Sequence, residues 1–471
     1  MVMGDLPVET QVLVLGGGPG GYAAAFRAAD LGLDVTLVSD EPRLGGVCLL
    51  RGCIPSKALL YLAELAFAAG EAADMGLELG EPRWDLEQVR TWKDGVVERL
   101  TKGVAGLCER RGVQLIRGRG RFAGPNRLLL SDSDYSSVAF EHAIVATGSR
   151  PAALPGLQLR PQGRLMDSTG ALALPDIPER LLVVGGGYVG LELGSVYAAL
   201  GSRVMLVEMA DRLMAGADPD LVKPLHRRLE GVFEAIRLET RVSAAEEQGS
   251  QVQVTLEGGD GGEELQFGRV LIAVGRRPNT EDLGLDEAGV DTDEHGFVRV
   301  DAERRTSSRA IFAVGDLTGG MQLAHEAMRE GKVAAEVIAG RPAAFDPRAV
   351  PAVAYTDPQI AWCGLTEEQA KRDHRDVRVT RFPWRACGRA LTMGAAEGLT
   401  KLVVDPQTGR LLGMGAVGRG AEALVSEAVV AIEMGALAED LALSIHPHPT
   451  LSETVGEAAE LVLGGATHYL A

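Results

Sequence analysis

Cys48 and Cys53 lie five positions apart in GGVCLLRGCIPSK and are the residues best placed to do redox chemistry. In a regular helix this separation gives an axial rise of ~7.5 Å, whereas disulfide-bonded Cα atoms lie within ~4.4–6.8 Å. A disulfide therefore needs a local break in the helix, which Gly46, Gly52 and Pro55 can provide. Two unpaired core thiols and half of a zinc site are the alternatives, although zinc usually takes a second, closely spaced ligand pair.

A second group with chemical potential lies near the C-terminus in HPHPTLSE, which contains His446, His448 and Glu453. A histidine held beside a carboxylate is the usual arrangement for acid–base catalysis near neutral pH. Thiol chemistry needs such a base because the thiolate is the nucleophile. A histidine is also often a surface or core residue, and the residues alone leave both interpretations open.

Two glycine-rich loops divide the chain into similar halves. Each follows a short apolar run and precedes a helical segment and a second apolar run. Glycines at this spacing permit a tight turn, let the backbone approach a pyrophosphate and let the helix pack on the strand. The pattern predicts two separate dinucleotide-binding folds, with a plain structural turn as the alternative for either loop alone. The glycines of the two loops are Gly16, Gly18, Gly21, Gly185, Gly187 and Gly190.

The residue that ends the second strand of each fold differs between the two. Glu208 ends this strand in the second fold, where a carboxylate binds the ribose hydroxyls of NAD and repels the 2′-phosphate of NADP. Ser39 takes this place in the first fold and is followed by Asp40. The sequence therefore favours NAD at the second site and leaves the ribose contact of the first site open.

The elements around these residues predict an α/β protein with two Rossmann-like domains and a C-terminal α+β domain. We place domain boundaries at residues 1–150, 151–275, 276–347 and 348–471. The last segment has no glycine-rich nucleotide loop of its own. Its predicted elements, together with the helix that precedes it, are a helix at 323–339, strands at 401–404 and 411–416, and a helix at 421–434.

Composition excludes several classes of protein. With 471 residues, 46% hydrophobic and 24% charged, the chain has ordinary globular usage and is not disordered. A net charge of −18 argues against a nucleic-acid partner. No segment reads as a membrane span, and MVMGDLPVET lacks the basic and apolar regions of a signal peptide. We expect a cytoplasmic protein.

Together, GGVCLLRGCIPSK, the paired glycine loops, the AVGD of residues 313–316 and HPHPTLSE resemble the pyridine nucleotide-disulfide oxidoreductase family nearly end to end. Within it, the resemblance is to members that oxidise protein-bound dihydrolipoamide to lipoamide in 2-oxo acid dehydrogenase and glycine cleavage systems. It implies non-covalent FAD on the first fold and NAD on the second. It also implies a homodimer, with lipoyl domains or the glycine cleavage H protein as partners, and no nucleic acid or membrane.

The resemblance implies a role for each residue that does chemistry. Cys48 would be the interchange thiol that faces the substrate, and Cys53 the thiolate that faces the flavin. Lys57 would lie near the flavin N5, paired with Glu192. The base and its orienting carboxylate would be His448 and Glu453, both from the opposite subunit.

The same resemblance implies cofactor contacts, with no metal site. Asp316 would hold the ribityl chain of FAD, Thr147 and Gly148 would close over it, and Tyr188 would cover the flavin where nicotinamide binds. The full set of expected cofactor-binding residues is Gly16, Gly18, Pro19, Gly21, Ser39, Asp40, Gly46, Lys57, Thr147, Gly148, Gly185, Gly187, Tyr188, Gly190, Glu208, Gly275, Arg276, Gly315 and Asp316.

The chain departs from the family pattern at Ser39 and at Leu49, Leu50 and Arg51, between the cysteines. Arg51 would either lower a thiol pKa or be a solvated side chain. The rival enzymes are a glutathione reductase, which would have a basic pocket for NADPH, and a mercuric reductase, which would have a C-terminal cysteine pair. A non-catalytic component of a large assembly and a cysteine-ligated metal-binding protein are the alternatives from other classes.

Overall fold

The protein is described here from a computed structural model that covers residues 7–80, 82–157, 159–160, 162–258 and 261–470. The first six residues, part of the stretch used to predict the absence of a signal peptide, lie outside the described residues. The strands of the described part are β1 Pro7–Leu15, β2 Val35–Ser39, β3 Gln114–Arg117, β4 Arg119–Phe122, β5 Arg127–Ser131, β6 Ser137–Val145, β7 Ser149–Pro151, β8 Leu165–Met166, β9 Arg180–Val184, β10 Arg203–Val207, β11 Ala235–Arg237, β12 Arg241–Gln248, β13 Gln251–Gly258, β14 Gly261–Phe267, β15 Arg269–Ile272, β16 Arg276–Pro278, β17 Ile311–Ala313, β18 Ala352–Ala354, β19 Gln359–Gly364, β20 Arg378–Pro383, β21 Leu399–Val404 and β22 Leu411–Gly418. The α-helices are α1 Pro19–Asp30, α2 Gly46–Arg51, α3 Cys53–Glu71, α4 Leu86–Arg110, α5 Ser168–Leu172, α6 Tyr188–Ala199, α7 Pro219–Glu230, α8 Ala324–Ile338, α9 Glu367–Arg372, α10 Gly388–Thr392, α11 Ala421–Met434, α12 Ala438–Leu443 and α13 Glu453–Leu463.

The chain divides into two units, each built from several segments. The first unit contains residues 7–58, 85–152 and 275–346, and the second contains the described residues of 59–84, 153–274 and 347–470. The first thus combines most of the predicted segments 1–150 and 276–347, and the second combines most of 151–275 and 348–471. The four boundaries predicted from the sequence stay a prediction.

The first unit is built on a seven-stranded sheet of order β3-β2-β1-β6-β5-β4, with β17 pairing β6. Strands β1, β2, β3, β6 and β17 pair in parallel, whereas β4 and β5 join antiparallel. Alternate residues of β1 enter opposite cores, with Leu13 and Leu15 on one face and Val12 and Val14 on the other. Burial on both faces explains why the strand is apolar without alternation.

The second unit contains three sheets. A five-stranded parallel sheet of order β11-β10-β9-β15-β8 carries the second glycine loop, and β12, β13 and β14 form an antiparallel sheet of three strands. The third sheet is antiparallel, of order β18-β19-β22-β21-β20, and packs on α11 and α13. The α+β character predicted for the C-terminal segment is confirmed, with β21, β22 and α11 at the predicted places.

One helical stretch of the described chain, Gly46–Met75, is long and apolar enough by length and composition to cross a membrane. It is not a continuous helix. Gly52, with φ −144° and ψ −114°, separates α2 from α3, and the stretch carries the charged side chains of Arg51 and Lys57. A break and charged side chains are unfavourable in a membrane span, so these features argue against a span at this stretch.

Candidate active site

The first glycine loop forms a turn that only glycine can occupy at two positions. Gly16 has φ +115°, and a Cβ on it would lie 2.3 Å from the carbonyl oxygen of Ala146. A Cβ on Gly21 would lie 1.9 Å from the Gly16 oxygen. Gly18 precedes Pro19, the first residue of α1, and provides no side-chain cap. The N-terminal amides of α1 are thus unprotected by a side chain, which suits a phosphate group.

The second loop repeats this geometry. Gly185 has φ +112°, and Cβ atoms on Gly185 and Gly190 would lie 2.3 Å and 2.1 Å from the oxygens of Ala273 and Gly185. Gly187 precedes α6 with no side-chain cap, and Tyr188 is its first residue, partly exposed. The internal repeat predicted from the sequence is therefore confirmed in the backbone.

The two folds differ at the end of the second strand, as the sequence indicated. Glu208 accepts hydrogen bonds from the amides of Gly186 at 2.6 Å (Oε2) and Ala210 at 2.8 Å (Oε1). In the first fold the buried Ser39 Oγ accepts a hydrogen bond from the Glu41 amide at 3.3 Å, and Asp40 is exposed. The carboxylate of Glu208 thus lies next to the second loop, and the hydroxyl of Ser39 lies next to the first.

The helix break needed to bring the cysteines together lies at Gly52. Helix α2 ends at Arg51 and α3 begins at Cys53, so Cys48 and Cys53 belong to different helices. A Cβ on Gly52 would lie 2.8 Å from the Val47 oxygen and 3.4 Å from the Cys48 Cα, so the chain turns back closely here.

Both cysteines are thiols in the structure, and their side chains hydrogen-bond each other. This hydrogen bond, together with burial, raises the pKa of Cys48 far above its ordinary value. Cys48 is half-buried and Cys53 is exposed, whereas Cys108, Cys363 and Cys387 are buried away from the pair. Two nearby thiols can form a disulfide, and the first to ionise is stabilised by a proton that its partner retains.

Two charged groups of the first unit shift the pKa of Cys48, and the two cysteines in turn shift the pKa of Tyr22. Lys57 lowers the pKa of Cys48, whereas Asp316 raises it. Burial, assisted by the neighbouring Cys48 and Cys53, raises the pKa of Tyr22 to about 12. Lys57 and Asp316 were expected at this site, whereas Tyr22 was not, because a tyrosine on the first turn of α1 gives no sequence signal of its own.

Asp316 belongs to a network of hydrogen bonds that the sequence did not reveal. Ser149 donates to its carboxylate, and Arg276 donates to Ser149 Oγ at 2.6 Å and lies 3.7 Å from Asp316 Oδ2. Burial raises the pKa of Asp316, and Ser149 and Arg276 oppose this. Arg276 was expected to bind a cofactor, and it here holds the turn that carries Asp316.

Two further sets of hydrogen bonds hold the segments at Gly315 and at Thr147–Gly148. The Gly315 amide donates to Oε2 of the buried Glu330 at 2.5 Å. Thr147 and Asn279 exchange two hydrogen bonds, of 2.7 Å from Thr147 Oγ1 and 2.9 Å from Asn279 Nδ2, and the Asn279 amide donates to the Gly148 oxygen. Sequence reasoning missed Glu330 and Asn279, since neither lies in a recognisable motif.

Arg51 forms an ion pair with Glu41. The groups that shift the pKa of Cys48 are Cys53, Lys57 and Asp316, and an effect of Arg51 on a thiol stays a prediction. Its side chain is about one-third exposed, which is compatible with the alternative that Arg51 is a solvated surface residue.

In the second unit, Glu192 is buried on α6 and its Oε1 accepts a hydrogen bond from the Tyr355 amide at 2.9 Å. Lys57 lies in the first unit and Glu192 in the second, so their pairing stays a prediction. Gly275, with φ +117°, belongs to the first unit, where its oxygen accepts a hydrogen bond from the Ala152 amide.

His448 and Glu453 form the predicted pair. His448 Nδ1 lies 2.8 Å from Glu453 Oε1, and Glu453 Oε2 accepts the Thr450 amide at 2.8 Å. Burial works against ionisation of Glu453, but the Thr450 amide and His448 outweigh it and hold the pKa of Glu453 below its usual value. The His448 side chain is 73% exposed in the single chain. This geometry fixes Nδ1 and presents Nε2 outward.

One group of side chains among the described residues has the spacing of metal ligands. The group of potential metal ligands found there consists of Asp218, Asp220 and Glu367, and contains no cysteine. Lys401 Nζ lies 2.7 Å, 2.7 Å and 3.1 Å from oxygens of these three carboxylates. A lysine ammonium therefore already neutralises this acidic group.

Comparison with known proteins gives full-length matches. A family model described as pyridine nucleotide-disulphide oxidoreductase matches residues 10–331, and a model of the dimerisation domain of such proteins matches residues 350–459. The dihydrolipoyl dehydrogenase of Vibrio parahaemolyticus is 46% identical over 98% of this chain and 97% of its own. Those of Halobacterium salinarum and Thermus scotoductus are 46% and 47% identical, covering 100% and 98% of both chains.

Solved structures give the same fold at lower identity. LpdA from Mycobacterium tuberculosis superposes with a TM-score of 0.89 at 28% identity, covering 96% of this chain and 99% of that one. The HOCl-induced flavoprotein disulfide reductase RclA from Escherichia coli superposes with a TM-score of 0.85 at 27% identity, covering 96% and 100%.

Proposed function

This chain belongs to the pyridine nucleotide-disulphide oxidoreductase family, and from that premise we propose that it is a dihydrolipoyl dehydrogenase. It oxidises protein-bound dihydrolipoamide at a Cys48–Cys53 disulfide and passes the electron pair through FAD to NAD⁺. The observation that carries the proposal is the contact between the two thiols across the break at Gly52. The names of the full-length relatives support dihydrolipoamide as the substrate.

The residues of the first unit fit FAD. A Cβ on Gly46 would lie 2.6 Å from the Gly18 Cα, so these glycines keep a narrow space at the uncapped start of α1 free of side chains. We assign Gly16, Gly18, Pro19 and Gly21 to the pyrophosphate, since α1 amides favour anions there. The adenosine side would be formed by Ser39, Asp40 and Gly46, and the flavin side by Lys57, Thr147, Gly148, Gly315 and Asp316.

The second unit fits NAD⁺. Glu208 is held behind the second loop by two backbone amides, where its charge opposes a 2′-phosphate. We assign Gly185, Gly187, Tyr188 and Gly190 to the same cofactor. We also assign Gly275 and Arg276 to cofactor binding, and their contacts within the first unit support a position on the FAD side.

The thiol half-reaction uses this chain's own groups. His448 Nε2 accepts a proton from one substrate thiol, because Nδ1 is held by Glu453. The substrate thiolate attacks Cys48 Sγ, the Cys48–Cys53 bond breaks, and Cys53 leaves as a thiolate. The second substrate thiol then displaces Cys48, which takes its proton, and lipoamide is released.

Two electrons and two protons have then moved from the dithiol to the enzyme. The protons lie on His448 and Cys48, and Cys53 is a thiolate. The hydrogen bond between the cysteines is compatible with this distribution, because a proton kept by one thiol stabilises the thiolate of the other. Bound FAD supplies the two-electron transfer between this thiolate and NAD⁺.

We assign the rest of the setting by the same reasoning. The match to the dimerisation domain supports a homodimer, in which His448 and Glu453 serve the cysteine pair of the opposite subunit. Lipoyl domains of 2-oxo acid dehydrogenase complexes or the glycine cleavage H protein are the proposed partners, and the cytoplasm is the proposed location. A glutathione reductase is disfavoured by Glu208, and a mercuric reductase by the absence of any cysteine after Cys387.

The test is anaerobic addition of dihydrolipoamide to the purified FAD-loaded protein. We expect long-wavelength absorbance from a thiolate beside the flavin, which NAD⁺ then discharges. C48S and C53S should each abolish dihydrolipoamide turnover while FAD stays bound. C108A, which removes a buried cysteine of the same unit, is the matched control and should retain turnover. Normal turnover in C48S or C53S would disprove the disulfide mechanism.

H448Q tests the proposed base separately. It should slow dihydrolipoamide oxidation by ~10²–10⁴-fold, the usual contribution of acid–base catalysis. NADH oxidation by ferricyanide should be unchanged, because that reaction does not use the base. Equal loss of both activities would show that His448 has another role.

A further inference from the structure

His446 is the inward-facing residue of an otherwise exposed segment. The structure describes all of residues 443–449, and each of them except His446 is exposed. Ile445 is 99% exposed, whereas the His446 side chain is 11% exposed. A polar ring that turns inward between exposed neighbours must be held by specific contacts.

Two helices supply those contacts. His446 Nε2 lies 2.8 Å from Glu427 Oε1, on α11. Its other ring nitrogen, Nδ1, lies against Gly456 on α13, where a Cβ would come within 2.9 Å of it. Gly456 is three residues after Glu453, and therefore about one helical turn from the carboxylate that holds His448.

The segment is also fixed on the other side of His448. Thr450 donates its amide to Glu453 Oε2 at 2.8 Å and its hydroxyl to the Pro447 oxygen at 2.7 Å, and Cys387 Sγ lies 3.6 Å from the Thr450 oxygen. His448 thus lies between an anchor at Thr450 and an anchor at His446. Its own side chain is largely exposed and contacts Glu453, as described above.

We propose that His446 is a positioning residue: held by Glu427 and packed on Gly456, it fixes the backbone that presents His448 Nε2 to the substrate thiol. The inference rests on the proposed function and adds a residue to it. His446 is not a second base, because one ring nitrogen is engaged by Glu427 and the other faces Gly456. Small errors in the placement of a catalytic group have large effects on rate, since ~1 Å can cost ~10²-fold.

The decisive variant is G456A, which changes no titratable group. Its new Cβ would overlap the His446 ring and displace it, while alanine is a better helix former than glycine. G465A is the matched control, because a Cβ there meets nothing within 4 Å. H446A removes the anchor directly, and E427Q keeps a hydrogen-bonding group opposite His446 that E427A removes.

The measurements are kcat and KM for dihydrolipoamide across pH, NADH oxidation by ferricyanide, FAD content and dimer mass. We expect G456A, H446A and E427A to lower kcat by roughly 10- to 100-fold, with a displaced pH profile and little change in KM. E427Q should recover much of the rate, and G465A should behave as the wild type. Ferricyanide activity, FAD content and dimer mass should not change.

Two results would overturn the inference. Wild-type kcat and pH profile in both G456A and H446A would show that His448 needs no such anchor. Parallel loss of ferricyanide activity, FAD or the dimer would show that His446 only supports the fold. Failure of the proposed function itself is distinguishable, because the wild-type protein would then not oxidise dihydrolipoamide.

Discussion

Glu330 and Gly315 are joined by a 2.5 Å hydrogen bond, in which the Gly315 amide donates to a carboxylate buried on α8. The other oxygen of Glu330 lies 2.6 Å from Arg304 Nη1. Gly315 directly precedes Asp316, and a Cβ on Gly331, the residue after Glu330, would lie 2.4 Å from the Gly20 oxygen on α1. Helix α8 therefore supports both the first glycine loop and the turn that carries Asp316.

We predict that the stability of the first unit falls with rising pH because of Glu330. Burial raises the pKa of Glu330 from 4.5 to about 7, against the opposing effects of Gly315 and Arg304. The protonated form is thus favoured on folding, so its contribution is complete below pH 4.5 and is lost as pH rises through 7. The full effect is about 3 kcal/mol. Urea unfolding of wild type and E330Q from pH 5 to 8 measures it.

The wild-type advantage over E330Q should shrink across that range, because glutamine does not titrate. An advantage that stays constant across this range would mean that the Arg304 ion pair keeps Glu330 ionised throughout.

We predict that E208A weakens NAD⁺ binding. This change removes the carboxylate held by the Gly186 and Ala210 amides, and with it the proposed contacts to the ribose hydroxyls and the proposed repulsion of a 2′-phosphate. A hydrogen bond to a charged group contributes about 1.5–3 kcal/mol, so its loss should raise the KM for NAD⁺ roughly 10- to 100-fold. The KM values for NAD⁺ and NADP⁺ measure it.

S39A is the control, since Ser39 has the equivalent place in the first fold and should leave the KM for NAD⁺ unchanged. If the ratio of the KM values for NAD⁺ and NADP⁺ were the same in E208A as in the wild type, the role assigned to Glu208 would be contradicted.

We predict that G52A disturbs the contact between the two thiols. Its Cβ would lie 2.8 Å from the Val47 oxygen, which is backbone and has little room to move. Overpacking of this kind costs about 1–3 kcal/mol. The thermal midpoint should fall, and dihydrolipoamide turnover should fall more than ferricyanide reduction.

G70A is the matched control on α3, where a Cβ meets nothing within 4 Å. Should G52A and G70A behave alike in both assays, the close return of the chain at Gly52 would not matter to the cysteine pair.

We predict that K401M strongly destabilises the second unit. The Lys401 side chain is 1% exposed and pairs with Asp218, Asp220 and Glu367. Its loss leaves the buried Asp218 without its cation, whereas Arg381 still pairs with the other two carboxylates. Breaking such a group typically costs about 3–5 kcal/mol. Urea unfolding followed by tryptophan fluorescence measures it.

K371M is the control, because Lys371 pairs with the same Glu367 but is 72% exposed. It should cost no more than about 1 kcal/mol. Equal effects of the two substitutions would rule out burial as the source of the difference.

The sequence was most informative where structure depends on neighbouring residues. The glycine loops and the elements around Ala421–Met434 follow from local patterns, because a turn with positive φ or an apolar helix face needs particular residues close together. The pairing of His448 with Glu453 was also predictable, since both lie in one short turn.

Contacts between distant segments were not predictable in this way. Ser149 meets Arg276, and Glu330 meets Gly315, only because separate segments of the first unit fold together. Glu330 lies in MREGK, which reads as an exposed helix surface, yet it is buried. Arg51 is a similar case: the sequence places it between the two cysteines, whereas its ion-pair partner is Glu41.

Because the glycine loop occurs twice, its two copies can be compared within one molecule. The same glycine turn is built twice in this chain, and the strand that follows its helix leads to a carboxylate at Glu208 in one copy and to a hydroxyl at Ser39 in the other. Residues that the two copies share are those that the turn itself requires. Residues that differ between the copies reflect the different cofactor that each copy binds. Exchanging these two side chains within one molecule would therefore reveal how much of each preference resides in a single position.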